Sequence, residues 1–85
     1  MKEWLVEFQN HQVRVTNSWF RGAKLYVDGV LRAENKSLIA NSAQPTFSAL
    51  LADADSPMVE VFFQANMTVK AKIVIDGKKV AGDLA

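Results

Sequence analysis

Lys24-Leu25-Tyr26-Val27-Asp28-Gly29-Val30-Leu31-Arg32-Ala33 holds two largely apolar stretches on either side of Asp-Gly. A two-residue type I′ turn needs positive φ at both of its residues. Gly adopts it freely and Asp tolerates it, so the segment predicts a tight β-hairpin. The expected register sets Val27 opposite Val30, Tyr26 opposite Leu31 and Leu25 opposite Arg32. Side chains alternate across a strand, so Leu25, Val27 and Val30 share one face, with Tyr26 and Leu31 on the other.

The pattern returns 48 residues later. Ala23 to Ala33 lies over Ala71-Lys72-Ile73-Val74-Ile75-Asp76-Gly77-Lys78-Lys79-Val80-Ala81. The pairs Ala23/Ala71, Lys24/Lys72, Asp28/Asp76, Gly29/Gly77 and Ala33/Ala81 are identical, and Val27/Ile75 is a conservative exchange. Upstream, Val13-Arg14-Val15 lies over Val59-Glu60-Val61, and the run Leu5 to Phe8 over Phe47 to Leu51. Each unit then reads as strand, strand, loop, hairpin. One such unit cannot bury its apolar face alone, whereas two packed face to face can. The expected fold is all-β: a small antiparallel β-sandwich or flattened barrel of about eight strands. It forms a single domain over 1–85, with an internal duplication across 1–40 and 44–85. The alternative is that Asp-Gly, as the commonest hairpin turn, recurs here by chance.

The remaining segments fit this frame. Trp4, Val6 and Phe8 alternate with Glu7 and Gln9, which is the period of a half-buried strand. Asn10-His11 is the expected turn, and Val13 to Thr16 the second strand, continuing toward Trp19 before Arg21-Gly22 breaks it. Ser37 to Ala40 is a candidate short strand, and Asn41 to Pro45 a loop. Thr46 to Ala52 is ambiguous. Ala49-Leu50-Leu51-Ala52 has good helix propensity, yet Phe47, Ala49 and Leu51 alternate, and the repeat decides for a strand. Asp53 to Pro57 is a turn and Met58 to Gln64 a strand. In the second hairpin Ile73, Ile75 and Val80 form the apolar face, and Lys72 and Lys79 point the other way.

The stretch Leu25 to Leu31, echoed by Ile73 to Lys79, resembles the strand–Asp-Gly–strand units in the β-sandwich of the Fas apoptotic inhibitory molecule family. The resemblance covers about a quarter of the chain and is confined to the hairpins. It implies a non-catalytic β-sandwich and assigns no functional residue.

Composition narrows the function classes. The 85 residues carry a formal net charge of +1 with acids and bases interspersed, unlike the basic stripe of a nucleic-acid domain. There is no cysteine, which excludes disulfides, thiolate zinc sites and thiol catalysis and fits a reducing compartment. Glu3 and Glu7 interrupt any apolar core of a signal peptide, and no apolar run approaches a membrane span. The chain reads as cytoplasmic, without cofactor or metal. His11 is the sole histidine, and a zinc site would need carboxylates from elsewhere. Asp53-Ala54-Asp55-Ser56 opens like a calcium loop. Met58 and Gln64, however, stand where that loop needs its glycine and closing glutamate.

Three features point to binding. Trp19 and Phe20 are adjacent, so a strand cannot turn both inward, and Arg21 and Lys24 lie close by. An aromatic with basic neighbours suits single-stranded nucleic acid, a sugar or an acidic peptide. Phe62, between Val61 and Phe63, places an apolar side chain on the second face of its strand. Lys70, Lys72, Lys78 and Lys79 gather on the second hairpin, where lysines either attract an anion or keep a sheet edge from pairing. The leading expectation is a non-enzymatic protein that associates, as a homodimer or with another protein, through Trp19-Phe20 or Phe62. The alternative is a small module for an anionic or nucleic-acid ligand, using Trp19, Arg21 and Lys24 beside the basic hairpin.

Overall fold

The computed structural model of the chain describes residues 2–18, 22–36, 45–65 and 68–84. Its elements are β1 (Lys2–Phe8), β2 (His11–Ser18), β3 (Gly22–Val27), β4 (Val30–Asn35), β5 (Phe47–Leu50), β6 (Met58–Ala65), β7 (Val69–Ile75) and β8 (Lys78–Gly82). They form two four-stranded antiparallel sheets, ordered β1-β2-β3-β4 and β5-β6-β7-β8. The fold is therefore all-β, a two-sheet sandwich in which each sheet takes one unit of the sequence repeat. The candidate strand Ser37 to Ala40 lies outside the described residues.

Alternation builds the core. Val13, Val15, Leu25, Val59, Val61, Ala71 and Ile73 are fully buried between the sheets. At one end of the sandwich, Phe63 receives Trp4 and Phe47 edge-on, at centroid distances of 5.6 Å and 6.1 Å. Trp4 registers opposite Val15, and Phe47 opposite Val61, so the position matching Phe47 is Trp4 and not Leu5, one residue off the sequence overlay. The segment with helix propensity is strand β5 because Phe47 and Leu51 are buried and Ala49 packs against the core. A helix would scatter these three side chains around its axis.

Two registers differ from the sequence expectation. The first turn is Gln9-Asn10, with φ of 49° and 65°, and His11 opens β2 opposite Phe8. A shift of one residue would turn Val13 and Val15 out to solvent, so burial overrides the turn preference of Asn10-His11. In the β3–β4 hairpin, Leu25 faces Ala33 and not Arg32, because a β-bulge interrupts the ladder between Leu25 and Tyr26. The β7–β8 hairpin has the same bulge, with Ile73 facing Ala81. The extra residues, Arg32 and Val80, are 48 positions apart, as are the two Asp-Gly turns. A bulge re-aims its side chain. Val80 packs against the core, while Arg32 Nη2 donates to the carbonyls of Leu50 and Ala52, each at 3.2 Å.

Two polar caps close the corners. Asn35, at the end of β4, donates to the Thr46 carbonyl just before β5, at 3.1 Å. Asp83, just after β8, accepts from the Ala71 amide at 2.9 Å and from the Trp4 indole at 3.1 Å, with Lys2 Nζ at 3.5 Å. The start of β1 therefore lies beside the end of β8. The Ala71 N–H, then the Trp4 indole and the Lys2 ammonium, hold the Asp83 carboxyl below the usual carboxylate range against a smaller opposing effect of burial. A depressed folded-state pKa contributes stability above the unfolded carboxylate pKa, and that stability is lost as pH falls through the folded value. Asp83→Ala should cost about 1–3 kcal/mol at neutral pH, because two donors lose their acceptor. Asp83→Asn should cost less and flatten the acid limb of the stability–pH curve, which urea titrations between pH 3 and pH 7 would measure.

Candidate interaction surface

The binding residues expected from sequence separate in the fold. Trp19, Phe20 and Arg21 lie outside the described residues. Lys24 is half-buried on the outer face of β3, in register between Thr16 and Glu34. Phe62 is half-buried on the outer face of β6, and Lys72 Nζ sits 4.8 Å above its ring. Lys70 is exposed on the same outer face, opposite Gln64, and Lys79 is exposed there opposite Val74. Lys78 is exposed beside the Asp76-Gly77 turn, in register with Ile75.

The structure thus brings Phe62, Lys70, Lys72 and Lys79 together on the second sheet. It places Lys24 on the first sheet, whose outer face looks the opposite way. Among the described residues, Lys24 and the lysine hairpin therefore lie on two separate surfaces. Sequence proximity and the repeat could not show this, because each unit supplies a whole sheet and the two outer faces point apart.

One surface feature was missed in the sequence. On the outer face of the first sheet, Leu5, Arg14, Tyr26 and Leu31 stand in one cross-strand row through all four strands. Leu5 is 54% exposed and Leu31 46%. Arg14 lies over the Tyr26 ring at 5.3 Å, and its Nε donates to Glu3 Oε2 at 2.6 Å. The guanidinium is therefore held between the Tyr26 ring and Glu3, with its charge partly answered, and the row keeps two apolar ends. The signal was Leu5, an apolar residue between Glu3 and Glu7 on the polar side of an alternating strand.

His11 and Asp28 meet at the turn end of the first sheet. His11 Nδ1 is 2.7 Å from Asp28 Oδ2, and the Gln12 N–H donates to Asp28 Oδ1 at 2.9 Å. The Asp28 N–H returns a bond to the Gln12 carbonyl at 2.8 Å. The Gln12 amide first, and His11 second, hold the Asp28 carboxyl below its ordinary range. The arrangement clamps the Gln9-Asn10 turn to the Asp28-Gly29 turn. Asp53 likewise acts locally. It accepts from the Asp55 amide at 3.1 Å and from the Ser56 hydroxyl at 2.6 Å, closing the 53–57 turn. Among the described residues no three His, Cys, Asp or Glu side chains are grouped to hold a metal ion. Among them, too, no helix is long and apolar enough to cross a membrane.

Fold and surface together define a small two-sheet antiparallel β-sandwich with a Leu–Arg–Tyr–Leu row across one outer face. No protein-family model, curated protein or solved structure matches the chain.

Proposed function

We propose that this protein is a non-enzymatic association module, active in the cytoplasm, that joins a second copy of itself or another protein through its first sheet. The Leu5–Arg14–Tyr26–Leu31 row carries this reading. The outer face of a strand turned to water is ordinarily polar, and two exposed leucines joined by an Arg–Tyr pair across a whole sheet suit association. Tyr and Arg are also the side chains most enriched at interface centres. Phe62 is a weaker candidate than its sequence position promised, since Lys72 already covers part of its ring. The hairpin resemblance to the Fas apoptotic inhibitory molecule family belongs to the same proposal, because it implies a non-catalytic sandwich.

Sedimentation velocity at micromolar concentration tests self-association. The expected result is a dimer that Leu31→Ser weakens, with the monomer fold unchanged because Leu31 faces solvent. A wild-type chain that stays monomeric would exclude the homodimer and leave a heterologous partner.

A second reading is favoured by one observation: Phe62 with Lys70, Lys72 and Lys79 on the other sheet, an aromatic inside a basic patch that suits an anionic or single-stranded nucleic-acid ligand. Salt separates the two readings. Phosphate contacts at this patch would weaken about as the inverse of salt concentration per contact, while the apolar row would hold its affinity.

A further inference from the structure

We infer that the free edge of β1 is a strand-addition site for an extended segment of another protein in which two basic residues flank an apolar one. The Gln9-Asn10 turn has two residues, so its flanking pair Phe8/His11 exchanges hydrogen bonds. Alternation from that pair gives Val6, Trp4 and Lys2 to β2. The N–H and C=O groups of Glu3, Leu5 and Glu7 then point away from β2. Among the described residues, no backbone hydrogen bond reaches them from another element.

The other three edges carry devices that discourage pairing. β4 is bulged and its Arg32 is tied to the carbonyls of Leu50 and Ala52. β8 is bulged and exposes Lys78 and Lys79. β5 has only four residues. β1 has seven, in unbroken register. Among the described residues it is the long, regular edge left open, tied to the second sheet only at its start, where Lys2 meets Asp83.

The side chains of the same three residues choose the occupant. Glu3, Leu5 and Glu7 all lie exposed on the outer face. A second copy of β1, paired antiparallel about Leu5, would set Glu3 opposite Glu7 of its mate, and like charges directly opposite each other are destabilising. A strand of the pattern basic-x-apolar-x-basic meets Leu5 with its apolar residue and the two glutamates with its cations. Glu3 already shares its charge with Arg14, so Glu7 supplies the larger part of the preference. Its apolar side chain would also lengthen the Leu5–Leu31 row by one strand. The inference rests on the association reading only in naming the first sheet, and it uses the edge where that reading uses the face.

The test titrates the heptapeptide Thr-Lys-Thr-Leu-Thr-Lys-Thr, and its counterpart with Glu for Lys, into the full-length ¹⁵N-labelled protein. The lysine peptide should slow amide exchange at Glu3, Leu5 and Glu7 and bind about tenfold tighter than the glutamate peptide, as opposed charge pairs across two strands would give. Leu5→Pro removes an edge N–H that β2 does not use and should abolish binding with the sheet intact, while Leu5→Ala should only weaken it. If Leu5→Pro does not fold, Glu7→Lys serves: it should cancel the preference for the lysine peptide. Leu31→Ser should leave peptide binding unchanged, so loss of face association and loss of edge binding are read separately. Absence of protection at the three amides, equal binding of both peptides, or indifference to Glu7→Lys would each overturn the inference.

Discussion

Phe63→Ala costs the sandwich about 3–5 kcal/mol, whereas Phe62→Ala, one residue away, costs only about 1–2 kcal/mol. Phe63 is 3% exposed and carries both edge-on aromatic contacts, to Trp4 and to Phe47. Removing a buried Phe side chain costs about 3–5 kcal/mol in lost transfer energy and cavity. A chain of 85 residues has a net stability of roughly 4–13 kcal/mol. The substitution therefore consumes about a quarter of that stability or more, and it breaks the contact between units at the β1/β5 end of the core. Phe62 loses a half-buried face and the Lys72 contact, about 1–2 kcal/mol together. Urea unfolding followed by far-ultraviolet circular dichroism measures both. Equal midpoints for the two variants would contradict the assignment of inner and outer faces in β6.

Gly82→Ala is the second large effect, and Gly77→Ala is its control. Both glycines have positive φ, 112° at Gly82 and 77° at Gly77. At Gly77 a Cβ would meet nothing, so the cost is the conformational term alone, about 1–2 kcal/mol. At Gly82 a Cβ would fall on the backbone of Ala71 and Lys72, at the Ala71 carbonyl oxygen. That oxygen accepts from the Leu84 amide at 3.0 Å, and the Ala71 amide is held by Asp83. Making room means moving β8 away from β7 at the point where Asp83 caps the corner. The expected cost is about 3 kcal/mol or more, combining strain with a broken cap. A melting-temperature comparison decides it: Gly82→Ala should fall well below Gly77→Ala.

These glycines differ in how readable they are in the chain. Gly29 and Gly77 announce themselves, because each follows Asp between two apolar strands and the turn is a local event. Gly82 carries no local mark. Its need for a missing side chain arises from how closely β8 passes β7 after the bulge at Val80. Both bulges escaped for the same reason. Nothing in the residues beside either turn marks the register shift that sets Leu25 opposite Ala33 and Ile73 opposite Ala81. His11 moved from turn to strand because burial of Val13 and Val15 fixes the frame of β2. Strand β5, by contrast, was recoverable from sequence: the period of two at Phe47, Ala49 and Leu51 competes with helix propensity, and the repeat decides between them.

The candidate surface divides in the same way. Tyr26 and Leu31 were assigned to one face from the Asp28-Gly29 hairpin alone, because a two-residue turn dictates which neighbours oppose each other. Leu5 and Arg14 join them only when β1 and β2 take their register, and a row across four strands exists only in the assembled sheet. The separation of Lys24 from the lysine hairpin likewise needed the two sheets back to back. By itself the sequence determined the strands, the two Asp-Gly hairpins and the alternation that divides core from surface, all of them interactions over a few residues. Only the tertiary structure decided the bulges, the Asp83 corner, the exposed row and the open β1 edge. Those depend on contacts between segments far apart in the chain, where packing of one sheet on the other selects among registers that local propensity leaves nearly equal.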